Sequence, residues 1–348
     1  MSDLDAGRLS ADATAAKATM NRAGVALADD AAAGAPRALP FIDQINLVHT
    51  ALFGWPCDHL TPLDEYLGCW DIHEVGVRMI DSTRFRWDIR SRVAPWPVDK
   101  WVMTEFKGFK LWLNLHDGFV SFGVLHGDWE EAEVEFMLSC LGPGDGMIDA
   151  GANVGVYTVQ AAAAVGSTGR IYAFEPNPTV CQRLRLSLEA NRLDDRCALY
   201  NEGLGAAEST GSFHLSQHAA NPGSSTISTG DSGAPILIRP IDSIQYERPI
   251  RFIKMDVEGF EPFVLQGARK TLERHRPVIL TEFFPRSLSA IAGIPGSAYI
   301  GMLEALGYSM TVFAAHEDGE AVTSSDASRF DAIAEPINLV CRPMARQA

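Results

Sequence analysis

Several features that would settle a function at once are missing from this chain of 348 residues. Its six cysteines, Cys57, Cys69, Cys140, Cys181, Cys197 and Cys341, form no C-x-x-C pair, which argues against the common zinc-ribbon and redox patterns and reads as reduced cytosolic thiols. Cys57, His59, Cys69 and His73 come nearest to a zinc set, but structural zinc sites carry closer cysteine pairs, so ordinary packing residues are expected there and no metal site is assigned. Uninterrupted apolar runs long enough to span a bilayer are absent, and no membrane partner is expected. The start Met1-Ser2-Asp3-Leu4-Asp5 has neither the basic cluster nor the apolar stretch of a secretory signal, so a cytoplasmic location is expected. Positive charge is scarce. A formal net charge of −15 leaves no broad basic face for a phosphate backbone, and no nucleic-acid partner is expected. No internal repeat is visible. The remaining composition, 47% hydrophobic and 21% charged, is that of a soluble globular enzyme and leaves a homo-oligomer open.

What the chain does contain is concentrated in Met147-Ile148-Asp149-Ala150-Gly151-Ala152-Asn153-Val154-Gly155. Apolar residues end a strand in an acid, and a glycine-spaced turn opens a helix running to Val165. A dinucleotide loop would read G-x-G-x-x-G, with free helix N–H groups cradling a pyrophosphate. Here the spacing is G-x-N-x-G, and the carboxylate of Asp149 would repel phosphate but suit a cation. S-adenosylmethionine (SAM) carries an ammonium, a sulfonium and no phosphate, and fits this loop better than NAD. Arg170 to Phe174 reads as the second strand, ending in Glu175 and Pro176. Glu175 follows Gly151 by 24 residues, the offset at which an acid at a strand tip accepts both ribose hydroxyls. An ordinary tight turn with a capping acid would explain neither Asp149 nor this spacing.

Along the chain, residues 1–39 are rich in Ala, Asp and Gly and are expected to be a disordered or frayed tail. Residues 40–130 read as an α+β extension: a mixed helical stretch over Phe41–Leu67, a hairpin of Trp101–Phe106 and Phe109–Leu115 around Lys107-Gly108, and a third strand over Gly118–Leu125. All seven tryptophans, Trp55, Trp70, Trp87, Trp96, Trp101, Trp112 and Trp129, fall in this part. They read as bulky core, with a sugar or polyketide platform as the alternative and Trp129 as the exception. Residues 131–348 form the catalytic domain, in which strands and helices alternate. Helices are predicted at Glu131–Cys140, Pro178–Asn191 and Pro262–Arg274, and around Leu303–Leu306. Strands are predicted at Cys197–Gly203, Gly211–Ser216, Ile236–Ile244, Ile250–Met255, Pro277–Phe284, Tyr308–Ala314 and Ile337–Arg342. His218–Ser232 is a long polar loop of the kind that carries function. Such alternation predicts a doubly wound parallel sheet with its site at the carboxyl ends of the strands.

The strand Ile250–Met255 ends in Asp256-Val257-Glu258-Gly259, beside the first strand in such a sheet. Methyl transfer to a hydroxyl needs alignment and a base for the departing proton. Asp256 is the first candidate for that base, Glu258 the second, and Glu282 at the next strand end the third, with His218 an outside candidate. Lys254 should partly neutralise them and hold their pKa values down. The same carboxylates could bind a divalent cation, which the spacing does not favour. The bland alternative has Asp256 and Glu258 capping the helix that begins near Phe260.

These residues together resemble a known family. Asp149-x-Gly151-x-Asn153-x-Gly155, Ala173-Phe174-Glu175-Pro176-Asn177-Pro178, Ile241-Asp242-Ser243-Ile244 and Lys254-Met255-Asp256-Val257-Glu258-Gly259 resemble, in that order, the FkbM family of SAM-dependent methyltransferases over roughly residues 127 to 285. The resemblance implies an α/β class I methyltransferase fold, Rossmann-like, with a mostly parallel seven-stranded sheet. It also implies O-methylation of a hydroxyl on a glycan or secondary metabolite. By position it puts Asp149, Gly151, Asn153 and Gly155 around the methionine moiety and Glu175 with Pro176 on the ribose. Asn177, Glu202 and Gly203 then lie near the adenosine. Pro240 and Ile241 depart from the family's T-L-D form, which should affect packing only. Rival readings are an N-methyltransferase, against which Asp-Val-Glu-Gly stands where N/D-P-P-aromatic is usual, a non-catalytic SAM-binding module, and a nicotinamide oxidoreductase.

Overall fold

The computed structural model describes residues 101–345 apart from 115, 127–128, 215–225, 229–232, 316–318, 327–328, 330–332 and 334. Before residue 101 it describes two strand pairs, Pro56–Cys57 with His59–Leu60 and Val75–Asp81 with Arg84–Ile89. The expectations for residues 1–39, for Cys69 and His73, and for His218 fall outside the described residues, as does that for Phe41–Leu67 apart from Pro56–Cys57 and His59–Leu60, which pair as strands within the stretch expected to be helical. The chain divides into two compact units, Met1–Gly108 with Leu113–Gly127, and Phe109–Trp112 with Asp128–Ala348. Among the described residues no helix is long and apolar enough to cross a membrane.

Strands Trp101–Phe106 and Phe109–Asn114 flank the expected turn, where Lys107 and Gly108 both take positive φ, 49° and 84°. The strand expected over Gly118–Leu125 is instead a helix, Val120–His126. The reason is local. Asp117 Oδ1 accepts the Phe119 N–H at 2.9 Å and Oδ2 accepts the Ser121 N–H at 2.8 Å, satisfying donors that a helix start leaves free. That cap outweighs the β-forming Phe119, Val120 and Val124.

In the larger unit, helix α1 (Glu131–Cys140) leads to β1 (Gly146–Ala150), α2 (Val156–Ala164), β2 (Arg170–Phe174), α3 (Pro178–Asn191) and β3 (Cys197–Tyr200). Then come β4 (Ile250–Met255), the helices α4 (Glu261–Gln266) and α5 (Arg269–His275), β5 (Val278–Phe283) and α6 (Gly296–Ala305). Strands β6 (Tyr308–Val312), β7 (Ala321–Val322) and β8 (Ile337–Pro343) complete it. The sheet order is β7-β6-β8-β5-β4-β1-β2-β3. Strands β1 to β5 are parallel, and β8 inserts antiparallel between β5 and β6. Seven strands follow the expected pattern, and the two-residue β7 adds an eighth at the edge.

Every residue of β1 is buried, as in a central parallel strand covered on both faces. Alternation then sorts the side chains. Ile148, Ala150, Ile253 and Met255 face a core shared with Val264, Leu265, Leu272, Tyr299 and Leu303 of α4–α6. Phe252 turns the other way, onto Phe136 of α1 at 6.0 Å between ring centroids. By the same alternation Asp149 and Lys254 face α1 and α2.

Three sequence expectations are corrected at element ends. The helix expected over Pro262–Arg274 breaks at Gly267-Ala268 into α4 and α5. A Cβ on Gly267 would lie 2.0 Å from the Gly205 carbonyl oxygen, and Asp242 starts the second helix. Its Oδ1 accepts from the Thr271 N–H and hydroxyl, each at 2.8 Å, and its Oδ2 from the Lys270 N–H at 2.9 Å. The strand expected over Ile236–Ile244 runs Ala234–Arg239 and then turns through Ile241–Ser243, which is what carries Asp242 to α5. The strand expected over Cys197–Gly203 stops at Tyr200. Gly203-Leu204 pairs instead with Ile238-Arg239 in a separate four-stranded sheet that also contains Ser209–His214 and Thr226–Ser228.

Asp242 thus caps α5. Replacing it, Asp242→Ala, is expected to lower stability by about 1–2 kcal/mol, read as a lower urea midpoint with an unchanged slope. An unaltered midpoint would remove the cap from the list of stabilising contacts.

Candidate functional site

Register decides which side chains meet. Ala150 pairs with Phe174 and with Met255, Met255 pairs with Thr281, and Phe174 pairs with Tyr200. The next residue on each strand therefore stands on one rung: Glu282, Asp256, Gly151, Glu175 and Asn201, from β5 through β4, β1 and β2 to β3. At about 4.8 Å per strand, Asp256 and Glu175 stand two steps, or about 10 Å, apart along this edge. Asp149, Glu175 and Asp256 also lie near enough to perturb one another electrostatically.

The turn between β1 and α2 is shaped by close approach. Gly151 has φ 85°, and a Cβ there would fall 1.9 Å from the Asp256 carbonyl oxygen. Gly155 has φ 93°, and its Cβ would meet Leu184 Cδ1 at 2.2 Å. Between them Asn153 sits left-handed at φ 48°, a region asparagine tolerates. Its side chain accepts the Val154 N–H at 2.8 Å, and its own N–H goes to Glu175 Oε2 at 2.8 Å.

Glu175 is buried, and its Oε1 accepts the Asn177 N–H at 2.7 Å. Burial pushes its carboxyl up to about 7, and the two N–H bonds do not offset that. Asn177, expected near the adenosine, caps α3 by accepting from the N–H groups of Thr179 and Val180. Asn201 was not singled out in the sequence. It donates to the carbonyls of Glu175 at 2.8 Å and Pro176 at 3.0 Å, pinning the tip of β2. Glu202 is held by Arg239, Nε to Oε2 at 2.5 Å and Nη2 to Oε1 at 3.0 Å, while Arg239 lies over the Tyr200 ring. Gly203 lies in the four-stranded sheet.

On the other side, Lys254 is buried and its ammonium meets Asp256 Oδ2 at 2.6 Å. Burial alone would lower its pKa, but Asp256, Glu130 and Asp149 together raise it, so it stays charged. The expectation that Lys254 holds the acidic cluster down is corrected. Burial, with repulsion from Asp256 and Glu261, pushes Glu258 up to about 8. Burial, with repulsion from Asp256 and Glu258, pushes Glu282 up to about 10. One ammonium does not balance so many carboxyls. Nor do Asp256 and Glu258 cap the following helix. Glu261, the first residue of that helix, instead ties down the turn before it, accepting the N–H groups of Val257 and Gly259 at 3.1 and 3.3 Å, and burial raises it to about 7. Among the described residues no group of three or more His, Cys, Asp or Glu is set to hold a metal ion.

Glu175 and Glu261 bind more protons folded than unfolded between pH 4.5 and about 7. Their burial is uncharged and harmless below 4.5, and its penalty accumulates as pH rises to about 7. The ligand-free protein should therefore lose several degrees of melting temperature between pH 5 and pH 8. Differential scanning fluorimetry across that range reads this, and a flat or rising profile would contradict the burial of these two carboxyls.

Comparison with known proteins adds the family. The Methyltransferase FkbM domain matches residues 149–310. No curated protein matches the chain. Among solved structures, the methyltransferase FkbM from Methylobacillus flagellatus KT aligns at 18% identity and TM-score 0.38, over 64% of this chain and 52% of that one. This chain thus spans about half the length of that protein. A SAM-dependent O-methyltransferase from Thermotoga maritima aligns at 13% identity and TM-score 0.37, over 72% and 79%. The tRNA m1G37 methyltransferase of M. jannaschii aligns at 12% identity and TM-score 0.38, over 73% and 58%. The matched segment, residues 149–310, holds the glycine turn, the Glu175 strand tip and the Asp256 strand end, and over it the chain is similar to the Methyltransferase FkbM domain.

Proposed function

We propose that the chain is a SAM-dependent O-methyltransferase that methylates a hydroxyl of a sugar, a glycan or a secondary metabolite. The observation that supports this most is the rung of carboxylates at the ends of β5, β4 and β2, facing a glycine turn and containing a single buried ammonium. Such a lining suits a cationic ligand and disfavours a dinucleotide phosphate. One atom tests the fit: Asp149 Oδ1 is buried without a hydrogen-bond partner, as an acceptor kept for a bound donor would be. In this reading Asp149, Gly151, Asn153 and Gly155 hold the methionine part of SAM and Glu175 the ribose. Pro176, Asn177 and Glu202 with Gly203 shape the wall beyond.

Bound SAM supplies an electrophilic methyl group on a sulfonium. The chain's own contribution is alignment and one proton transfer. Lys254 ties Asp256 Oδ2, which fixes the carboxylate and leaves Oδ1 to take the proton of the acceptor hydroxyl. Glu258 and Glu282, pushed to about 8 and about 10, carry protons at neutral pH. They serve as donors to acceptor oxygens, and Asp256 remains the base. The net charge of −15 supports a small or glycan acceptor in the cytosol over a nucleic acid.

Two variants separate the roles. A folded Glu175→Ala protein should lose at least tenfold in SAM affinity by titration calorimetry, and unchanged affinity would contradict the ribose assignment. Asp256→Asn should keep SAM affinity within about twofold and lower turnover by roughly 10²–10⁴. The assay is methyl-labelled SAM against a panel of sugar, glycan and macrolide-type hydroxyl acceptors alongside amines. Label found only on amines would overturn O-methylation.

A further inference from the structure

The second and third residues of helix α2, Tyr157 and Thr158, carry hydroxyls, and each donates to a carboxyl. Thr158 Oγ1 donates to Asp149 Oδ2 at 2.5 Å, and the Tyr157 hydroxyl donates to Glu130 Oε2 at 2.8 Å. Glu130 lies just before α1, outside the family-matched segment, and no sequence motif pointed to it. Its backbone is left-handed, φ 45° and ψ 38°, a conformation unfavourable for a non-glycine residue that persists only where the surroundings hold it.

Both carboxyls belong to one cage. Glu130, Asp149 and Asp256 each interact with the Lys254 ammonium, which lies 5.1 Å from the centre of the Tyr157 ring. That ammonium makes its direct ion pair with Asp256. Asp149, 1% exposed, keeps Oδ1 buried and unpartnered. A fixed cation surrounded by three acids, one of them with a buried acceptor to spare, has room in its charge balance for a second cation.

We propose that Glu130 is a binding residue of this site and that, together with Asp149, it receives the α-ammonium of SAM. The assignment rests on the SAM reading above and extends it to a residue outside the matched domain. Tyr157 and Thr158 then have one purpose in common. Each orients a carboxylate by occupying one oxygen, so that the other oxygen is presented to the amino-acid end of the ligand.

The test compares two ligands that differ at that end. S-adenosylhomocysteine carries the α-ammonium, and 5′-methylthioadenosine keeps the thioether and adenosine but lacks the amino-acid portion. In titration calorimetry on the full chain, Glu130→Gln keeps an acceptor for Tyr157 but removes the charge. It should weaken S-adenosylhomocysteine roughly tenfold or more, while methylthioadenosine stays within about twofold. Tyr157→Phe, which frees the carboxylate but keeps the ring beside Lys254, should weaken S-adenosylhomocysteine selectively and by less. Equal weakening of both ligands, or of neither, would overturn the assignment of Glu130. Failure of the unaltered protein to bind either ligand would instead overturn the SAM reading itself, and melting curves confirm that the variants are folded.

Discussion

Burying several carboxyls around one ammonium is the constraint on which this molecule turns. Water would solvate these groups at little cost, and the interior does not. Each acid meets the problem differently. Glu175 and Glu261 take backbone N–H groups, Asp149 and Glu130 take hydroxyls of α2, and Asp256 takes Lys254 directly. Glu258 and Glu282 accept protons. Only a rigid parallel sheet in fixed register can hold so many like groups at one edge, and the fully buried β1 and β4 core supplies that rigidity. The close passage of Gly151 beneath the Asp256 carbonyl is part of the same frame, because it locks the β1 turn against the end of β4.

The parts legible in the sequence were those where one local signal dominates. The apolar residues before Asp149 marked β1, and the apolar run Ile250–Met255, broken by Arg251 and Lys254, marked β4. Pro178 after Asn177 marked the start of α3. The G-x-N-x-G spacing marked the turn, and the offset to Glu175 marked a second strand tip. The readings that failed were those settled by contacts distant in the chain or by a cap overriding propensity. Val120–His126 alternates plausibly for a strand until Asp117 is seen to cap it. Gly267 falls inside the helix expected over Pro262–Arg274, yet it must pass close to Gly205.

Charge was the least legible property. Lys254 beside three acids suggested neutralisation, but burial and mutual repulsion outweigh one ammonium, and that balance depends on depth, which a sequence does not state. Glu130 was missed because its partners are Tyr157, 27 positions on, and Lys254 beyond that. The weak signal was the pair of adjacent hydroxyls after Gly155, on a helix start that needs no such residues for its own stability.

The place of β8 has a consequence for how the chain is made. It follows β6 and β7 in sequence, yet it lies between β5 and β6, pairing with both. Arg276 reinforces the seam by donating to the carbonyls of Leu306, Gly307 and Met344. A nascent chain still on the ribosome can assemble β1 to β5 as a continuous sheet, but β6, paired with β7, cannot join that sheet until β8 has emerged. Until then the outer edge of β5 is open, and insertion of β8 closes it.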